Sequence, residues 1–279
     1  MPLTPAKRTM AFAFGALALA GIGFGAGYAV WGRAPDYYAE RNVSQLLPGT
    51  ENDLIRYGWQ LVVETARHIG RDAQDPGKRY AGNDLACTQC HINAGLRAFA
   101  APFVSTYTTY PMMMDDRVLT LEERINGCMM RSMNGRAMPE DGREMSALIA
   151  YIRFLGTDTP QNVRVAGMGL RPLKPAAQKP DAARGQEVYA STCARCHKAD
   201  GQGDRRAPPG IGYDVPPLWG DSSFNSSAGM NQLPATAAFI HANMPYGVTF
   251  QAPMLTEQQA WDVAAFITAQ PRPKGPARQ

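Results

Sequence analysis

The sequence predicts an all-α protein of two similar domains, and three observations support this fold class. The motif Cys-x-x-Cys-His occurs twice, at residues 87–91 and 193–197, in segments that are each long enough for a domain. Each copy has the same surroundings, a helical segment before it and a loop and a closing helix after it. A stretch rich in proline and glycine separates the two halves, and no stretch is a convincing strand.

Four of the five cysteines lie in the two motifs, and the residue after each pair indicates their chemistry. A zinc ribbon would place its two pairs within about 15–20 residues of each other, whereas these pairs lie in different halves. A histidine directly after each pair lets the cysteines form thioethers to haem and the histidine bind the iron. The sequence therefore predicts two cytochrome c domains with two covalently bound haem c groups. The attachment residues are Cys87, Cys90, Cys193 and Cys196, and the proximal ligands are His91 and His197.

Size and charge narrow the remaining classes of protein. The chain has 279 residues, which suits two domains. Its net charge is +4, and the sequence has no run of five or six like charges. Nothing in it therefore indicates nucleic-acid binding. The 14 methionines suit flexible core packing, and some of them are candidates for a haem ligand.

Residues 1–35 predict a membrane anchor or a signal segment. Lys7 and Arg8 precede an uncharged run over residues 9–31, which at about 1.5 Å per residue is long enough to cross a bilayer. Gly27-Tyr-Ala29 is a passable cleavage site, so removal of the segment stays open. We favour an uncleaved transmembrane helix that anchors the protein to the inner membrane, with the rest of the chain in the periplasm.

Residues 36–158 are expected to form the first cytochrome c domain, which would hold the catalytic haem. Apolar residues recur at helical spacing over residues 51–70, before the first motif. Thr120 and Glu123 form a capping box, which predicts a helix that carries Cys128. A further amphipathic helix over residues 143–155 would close the domain.

Residues 159–181 are expected to be an extended linker, because they contain several prolines and glycines. The second cytochrome c domain, the electron-transfer domain, would then cover residues 182–272. It would begin with a helix over residues 182–191 and end with a helix that starts at the capping box of Thr256 and Gln259. Residues 273–279 are expected to be a disordered tail.

The sixth iron ligand has to be chosen separately in each domain. In the second domain Met244 follows His197 by 47 residues and precedes the last helix. We predict Met244 as the ligand, with Met254, Met230 and His241 as alternatives.

In the first domain two candidates for this ligand stay open. Met138 follows His91 by the same 47 residues. Cys128 is the one cysteine outside the motifs, and Arg124, Arg131 and Ser132 share its predicted helix face. Guanidinium groups beside a thiol lower its pKa and favour the thiolate, the form that binds iron and attacks sulfur.

The stretch Arg124-Ile-Asn-Gly-Cys128, set between two haem motifs, resembles the dihaem thiosulfate dehydrogenases. The resemblance covers most of the chain after residue 35. It implies that Cys128, rather than Met138, is the distal ligand of the catalytic haem, and that the second haem passes electrons on. Two departures from the family are visible. Asn243 stands where some members have a lysine that can also bind iron, which implies simple His/Met ligation, and a further pocket arginine would have to be Arg117 or Arg97.

The resemblance implies a thiosulfate dehydrogenase that couples two thiosulfates oxidatively to tetrathionate. Electrons would pass through two c-type haems to an exported acceptor such as a small cytochrome c. Arg124, Arg131 and Ser132 would bind the sulfonate oxygens, and Cys128 would react with the terminal sulfur. The alternative is a membrane-anchored dihaem electron-transfer cytochrome without substrate chemistry, either alone or as a subunit of a larger complex. In that case Met138 would be the ligand and Cys128 would be inert.

Overall fold

The computed structural model describes residues 36–276, and from Tyr37 onward the chain belongs to one compact unit. The predicted anchor or signal segment, residues 1–35, lies outside the described residues. Within residues 36–276 no helix has the length and apolarity needed to cross a bilayer.

The first half consists mainly of helices around one core. The elements are α1 (Thr50–Val63), α2 (Thr65–Ile69), α3 (Thr106–Thr109), β1 (Met112–Met114), β2 (Arg117–Leu119), α4 (Leu121–Arg131) and α5 (Arg143–Leu155). The amphipathic segment predicted before the first motif is interrupted at Glu64, whose φ of −128° and ψ of 40° are not helical. The helices predicted at the first capping box and over residues 143–155 are confirmed.

The second half repeats this plan with shorter elements. The elements are α6 (Ala182–Val188), a π-helical turn (Tyr189–Cys193), α7 (Ala194–His197), β3 (Asp204–Arg205), β4 (Tyr213–Val215), α8 (Leu233–Asn243) and α9 (Glu257–Thr268). The capping box at Thr256 is confirmed, since its hydroxyl accepts from the Gln259 amide and the Gln259 side chain accepts from the Thr256 amide.

A glycine lets the first and last helices of each half cross closely. In the first half, a Cβ on Gly58 of α1 would lie 2.0 Å from the carbonyl oxygen of Ala147 on α5. In the second half, a Cβ on Gly185 of α6 would lie 2.0 Å from the carbonyl oxygen of Asp262 on α9. Because both distances are far below van der Waals contact, only glycine permits this packing.

Two short antiparallel hairpins qualify the all-α prediction. β1 pairs with β2 and β3 pairs with β4. Each strand has only two or three residues, and β1 is exposed throughout. A strand so short and so exposed lacks the alternation of buried and exposed residues by which strands are recognised in a sequence.

The two halves share packing rather than standing apart on a free linker. Tyr213, Phe224 and Ala228 of the second half belong to the buried core of the first half. The segment between the halves has no helix, and its Gly167 and Gly169 carbonyls accept hydrogen bonds from the Phe99 and Ala101 amides. The chain therefore crosses between the halves along a packed surface.

Buried polar residues strengthen this shared surface. The Asn83 Nδ2 donates to the carbonyls of Ser132 and Ser223, at 3.0 and 3.2 Å. The Asp84 carboxylate, 5% exposed, accepts from Arg71 at 2.7 Å and from Arg205 at 3.0 Å. Burial is the largest influence and raises the pKa of Asp84, but the two arginines together lower it below the ordinary 3.8.

The end of the described chain does not match the expected disorder. The Pro273 carbonyl accepts from the Ser226 amide at 2.9 Å, and the Gly275 amide donates to the Ser226 hydroxyl at 3.0 Å. Residues 273–276 thus lie along the loop that contains Ser226. Residues 277–279 lie outside the described residues.

We expect Gly58→Ala and Gly185→Ala each to lower the free energy of unfolding by about 1–3 kcal/mol, because a methyl group would force the paired helices apart. Chemical denaturation of the haem-loaded protein, followed by circular dichroism, measures this. Gly229→Ala is the matched control, since nothing lies within 4 Å of its added Cβ. Equal stability of all three variants would contradict the packing argument.

We expect Asp84→Asn to lower the free energy of unfolding by about 2 kcal/mol at pH 7, since two charge-assisted hydrogen bonds are weakened. A carboxyl whose folded pKa is lowered stabilises the fold above its ordinary pKa, and that stabilisation disappears as the pH falls through the folded value. The difference from the unaltered protein should therefore be full at pH 5 and above and shrink below about pH 4.

The control for this variant is Asp158→Asn, whose carboxylate is 62% exposed and pairs with Arg41 at 2.8 Å. An exposed pair contributes little, so this change should have less than about 1 kcal/mol of effect. A difference between the Asp84 variant and the unaltered protein that persists unchanged at pH 3 would contradict the assignment.

Candidate active site

The candidate site is built on α4, which presents Cys128 and Arg124 one turn apart. The helix begins at a capping box in which the Thr120 hydroxyl accepts from the Glu123 amide at 3.1 Å. This start places the Arg124 Nη1 2.9 Å from the Cys128 Sγ. The capping sequence thus fixes a cation beside the one thiol outside the haem motifs.

His91 lies next to this pair and is oriented by the backbone. Its Nδ1–H donates to the carbonyl oxygen of Ala101 at 2.5 Å. With Nδ1 engaged by the backbone, Nε2 is the ring nitrogen that faces the Cys128 sulfur and that would bind iron. The Phe103 ring packs on the imidazole with centroids 4.4 Å apart.

The environment of Cys128 favours the thiolate. Burial is the largest influence and raises its pKa, but the charge of Arg124 and hydrogen bonding from His91 lower it more, so the pKa falls from 9.0 to about 6. Cys87 and Cys90 lie close enough to feel the charge on Cys128. The two haem-attaching sulfurs of the first half therefore lie near the Cys128 sulfur.

Of the three residues predicted to bind substrate beside Cys128, only Arg124 contacts its sulfur in the described structure. Arg131 folds back along α4, where its Nη2 would lie 2.6 Å from a Cβ on Gly127. Ser132 caps the helix, and its carbonyl accepts from Asn83. Arg124 touches the Cys128 sulfur, whereas Arg131 lies beside Gly127 and Ser132 contacts Asn83.

Two residues that sequence reasoning missed lie near Arg124. Tyr110 hydrogen-bonds to Arg124 and feels the charges of Cys128 and Arg164; burial raises its pKa, while both arginines lower it. Arg164 is exposed and comes from the segment between the halves. Neither position belongs to a motif, so the sequence carries no signal for them.

The arginines considered as further pocket residues are engaged elsewhere. Arg117 pairs with Glu123 at 2.9 Å on the exposed hairpin side of α4. Arg97 donates to the carbonyl of Val248 in the second half. Arg164 is therefore the arginine, apart from Arg124, whose charge reaches Tyr110 in the described part of the chain.

Met138, the alternative to Cys128, is 3% exposed and packs in the first core. The Asn126 side chain holds its backbone on both sides, with the Met138 amide donating at 2.8 Å and the Met138 carbonyl accepting at 3.0 Å. The Met138 backbone is therefore fixed by Asn126, and its side chain is buried in the core.

The second half contains a similar set of candidate haem ligands. The Nδ1–H of His197 donates to the Pro216 carbonyl at 2.9 Å, which again leaves Nε2 available. Met244 and Cys193 pack on the same second core. Of the alternatives, Met254 is 62% exposed, and His241 is buried, which lowers its pKa.

These donors fit covalently bound haem in both halves. Each half combines two cysteines with a histidine whose Nδ1 is fixed by a backbone carbonyl, as expected of a proximal ligand. Each also supplies a second sulfur, from Cys128 or Met244. The first half differs from the second in offering a charged sulfur beside an arginine.

Comparisons with known families support this division into two haem domains. The cytochrome c family matches residues 182–270, and the SoxA/TsdA cytochrome c domain matches residues 78–160. The described helices of the two halves lie within or beside these matches.

Comparisons with individual proteins extend over most of the chain. It is 41% identical to the thiosulfate dehydrogenase of Thiomonas intermedia over 238 residues, which is 85% of this chain and 74% of the relative. It is 37% identical to that of Stutzerimonas stutzeri over 235 residues, covering 84% and 75%.

A solved structure is also similar. The thiosulfate dehydrogenase TsdBA from Marichromatium purpuratum, in its as-isolated form, matches with a TM-score of 0.74 and 35% identity. The match covers 90% of this chain, which spans about half, 52%, of that solved chain. With two cytochrome c domains that carry two covalently bound c-type haems, the chain belongs to the thiosulfate dehydrogenase family.

Proposed function

We propose that the protein oxidises two thiosulfates to tetrathionate and passes the two electrons through its haems to an exported acceptor. The observation that carries the proposal is the contact of 2.9 Å between Arg124 and the Cys128 sulfur, beside His91. An electron carrier has no need of a buried thiolate with its own cation. A sulfur-transforming enzyme needs both.

The haem sites follow from this assignment. Cys87 and Cys90 would hold the first haem covalently, and His91 and Cys128 would bind its iron. The second haem would be held by Cys193 and Cys196, with His197 and Met244. When bound, each haem accepts one electron at a time, so the pair takes up the two electrons that the coupling releases. The domain limits are proposed as residues 36–158 and 182–272.

Arg124 would also bind the substrate. Thiosulfate is a dianion, and a guanidinium binds its sulfonate oxygens through charge-assisted hydrogen bonds. Tyr110 hydrogen-bonds to Arg124 and restricts its orientation, and Arg164 supplies a second positive charge near by. Two dianions have to approach each other here, so two cations are better suited than one. We also propose that Arg131 and Ser132, which follow on the same helix, contribute to binding the sulfonate oxygens.

Sulfur chemistry at Cys128 completes the proposal. The thiolate and one thiosulfate form a sulfur–sulfur bond, which releases two electrons and leaves a cysteine S-thiosulfonate. The terminal sulfur of a second thiosulfate attacks the sulfur attached to Cys128, as in disulfide exchange. Tetrathionate leaves and the Cys128 thiolate is restored, so charge and electrons balance without a further reactant.

We place the protein in the periplasm, because covalent haem attachment fits an exported chain. Residues 1–35 would then hold it at the inner membrane, with the described residues outside the bilayer. The acceptor would be an exported protein such as a small cytochrome c, which takes electrons from the second haem. The alternative of an electron-transfer cytochrome without substrate chemistry is kept as an outcome of the tests below.

We expect Cys128→Ala to abolish thiosulfate-driven haem reduction while keeping both haems attached, because it removes the reacting sulfur. Stopped-flow absorbance measures the reduction, and denatured-haem spectra measure the haem content. Met138→Leu is the control, since a volume-conserving change in the core has little effect. If Met138→Leu loses the activity and Cys128→Ala keeps it, the roles of the two residues are reversed. If the unaltered protein does not respond, the electron-carrier alternative is favoured.

We expect Arg124→Gln to lower kcat/KM for thiosulfate by about a hundredfold, because a positioned cationic donor to the substrate is lost. Steady-state kinetics with an artificial electron acceptor measures this. Arg117→Gln removes an exposed arginine from the same region and should change kcat/KM by less than about twofold. Equal losses in the two variants would show that only overall charge matters.

A further inference from the structure

The two haem-binding segments meet in a small apolar cluster. Ile92, which follows His91, packs with Ala100 and with Phe239 of α8, and Met244 lies against the same cluster. The segment that follows His91 therefore lies against residues of α8 and against Met244. His91 precedes one residue of this cluster, and Met244 packs against the same cluster.

Asn243 is the last residue of α8, and its side chain reaches the first half at this cluster. It is 1% exposed, and its Nδ2 donates to the carbonyls of Phe99 and Phe239, both at 3.1 Å. Phe239 lies one turn back in the same helix, whereas Phe99 lies in the first half. The amide thus ties the residue before Met244 to the other haem domain.

The loop that receives this hydrogen bond also orients His91. Phe99 and Ala101 both have positive φ, 59° and 47°, so the loop is held in an unusual conformation. The Ala101 carbonyl is the acceptor for His91 Nδ1. A short covalent path through residues 99–101 therefore connects the Asn243 amide to the proximal histidine.

The buried Asn243 side chain is paired through its Nδ2 and, within the described chain, unpaired through its Oδ1. Its Oδ1 is buried without a hydrogen-bond partner among the described residues. An unpaired buried acceptor is unfavourable, and a leucine of similar size would avoid it. The asparagine instead provides the two hydrogen bonds from Nδ2, which a leucine cannot make.

We propose that Asn243 is a positioning residue that holds Met244 against the His91 side of the first domain and so sets the geometry for electron transfer between the two haems. This rests on the proposed function, in which His91 and Met244 are iron ligands. The Met244 backbone is already fixed on one side, because its amide donates to the Ile240 carbonyl at 2.9 Å. Asn243 supplies the restraint from the other domain.

Two variants of the full haem-loaded protein test the proposal. Asn243→Leu keeps the size and removes both hydrogen bonds. Asn243→Ser keeps a hydroxyl that reaches the carbonyl one turn back but not Phe99, so it isolates the bond between the domains. Asn83→Leu is the matched control: Asn83 is 0% exposed and also donates to carbonyls of both halves, Ser132 and Ser223.

Three properties are measured in each variant. They are the red absorption band of methionine-bound ferric haem, the reduction potentials of both haems in a chemical titration, and the rate of electron transfer between the haems after rapid reduction. We expect both Asn243 variants to weaken the band and lower the potential of the second haem. Transfer between the haems should slow in both variants, because the restraint on Met244 from the first half is lost.

Asn83→Leu should lower thermal stability as much as the Asn243 variants do. It should leave the absorption band and both reduction potentials unchanged. The proposal is overturned if the Asn243 variants lose stability and keep the band, the potential and the transfer rate, or if Asn83→Leu changes them equally. If Asn243→Leu does not fold, Asn243→Ser decides by the same criteria. The band and the potentials need no thiosulfate, so a protein that fails to oxidise thiosulfate would refute the proposed function and still report on Asn243.

Discussion

The contact between Arg124 and Cys128 is the interaction on which the first haem domain depends. A buried thiolate is unfavourable unless a cation stands beside it, and the 2.9 Å contact provides one. The contact exists because α4 begins at a capping box and carries both residues on one face. The packing of α1 against α5 and the hydrogen bond from His91 to Ala101 then bring the histidine to the same place.

The two halves share one structural plan, and their proposed redox roles differ. Both cross their first and last helices at a glycine, and both fix the histidine Nδ1 with a backbone carbonyl. They differ in the second sulfur. An anionic cysteine sulfur donates more strongly to iron and lowers its potential, whereas a neutral methionine raises it. In the proposed assignment, a site that reacts with sulfur is followed by a site of higher potential, which suits a one-way passage of electrons.

The sequence predicts the parts of this structure that are encoded locally. The capping boxes at Thr120 and Thr256 and the amphipathic helix Arg143–Leu155 are found where they were predicted. α8 was missed because its residues are buried nearly all round, so it has no apolar face to recognise. Tyr110 and Arg164 were missed because they reach the site through contacts between distant segments. Only folding brings such residues together, and no spacing along the chain records it.

The shared core has a consequence for how the protein is made. Tyr213, Phe224 and Ala228, all beyond the second haem motif, complete the core of the first half. A chain that emerges through a membrane from its N-terminus would have to deliver nearly all of its length before the first haem domain could close. Until then that half exposes apolar surface. Attachment of the first haem would therefore take place on an open, incompletely packed chain, which gives the attaching machinery access to Cys87 and Cys90.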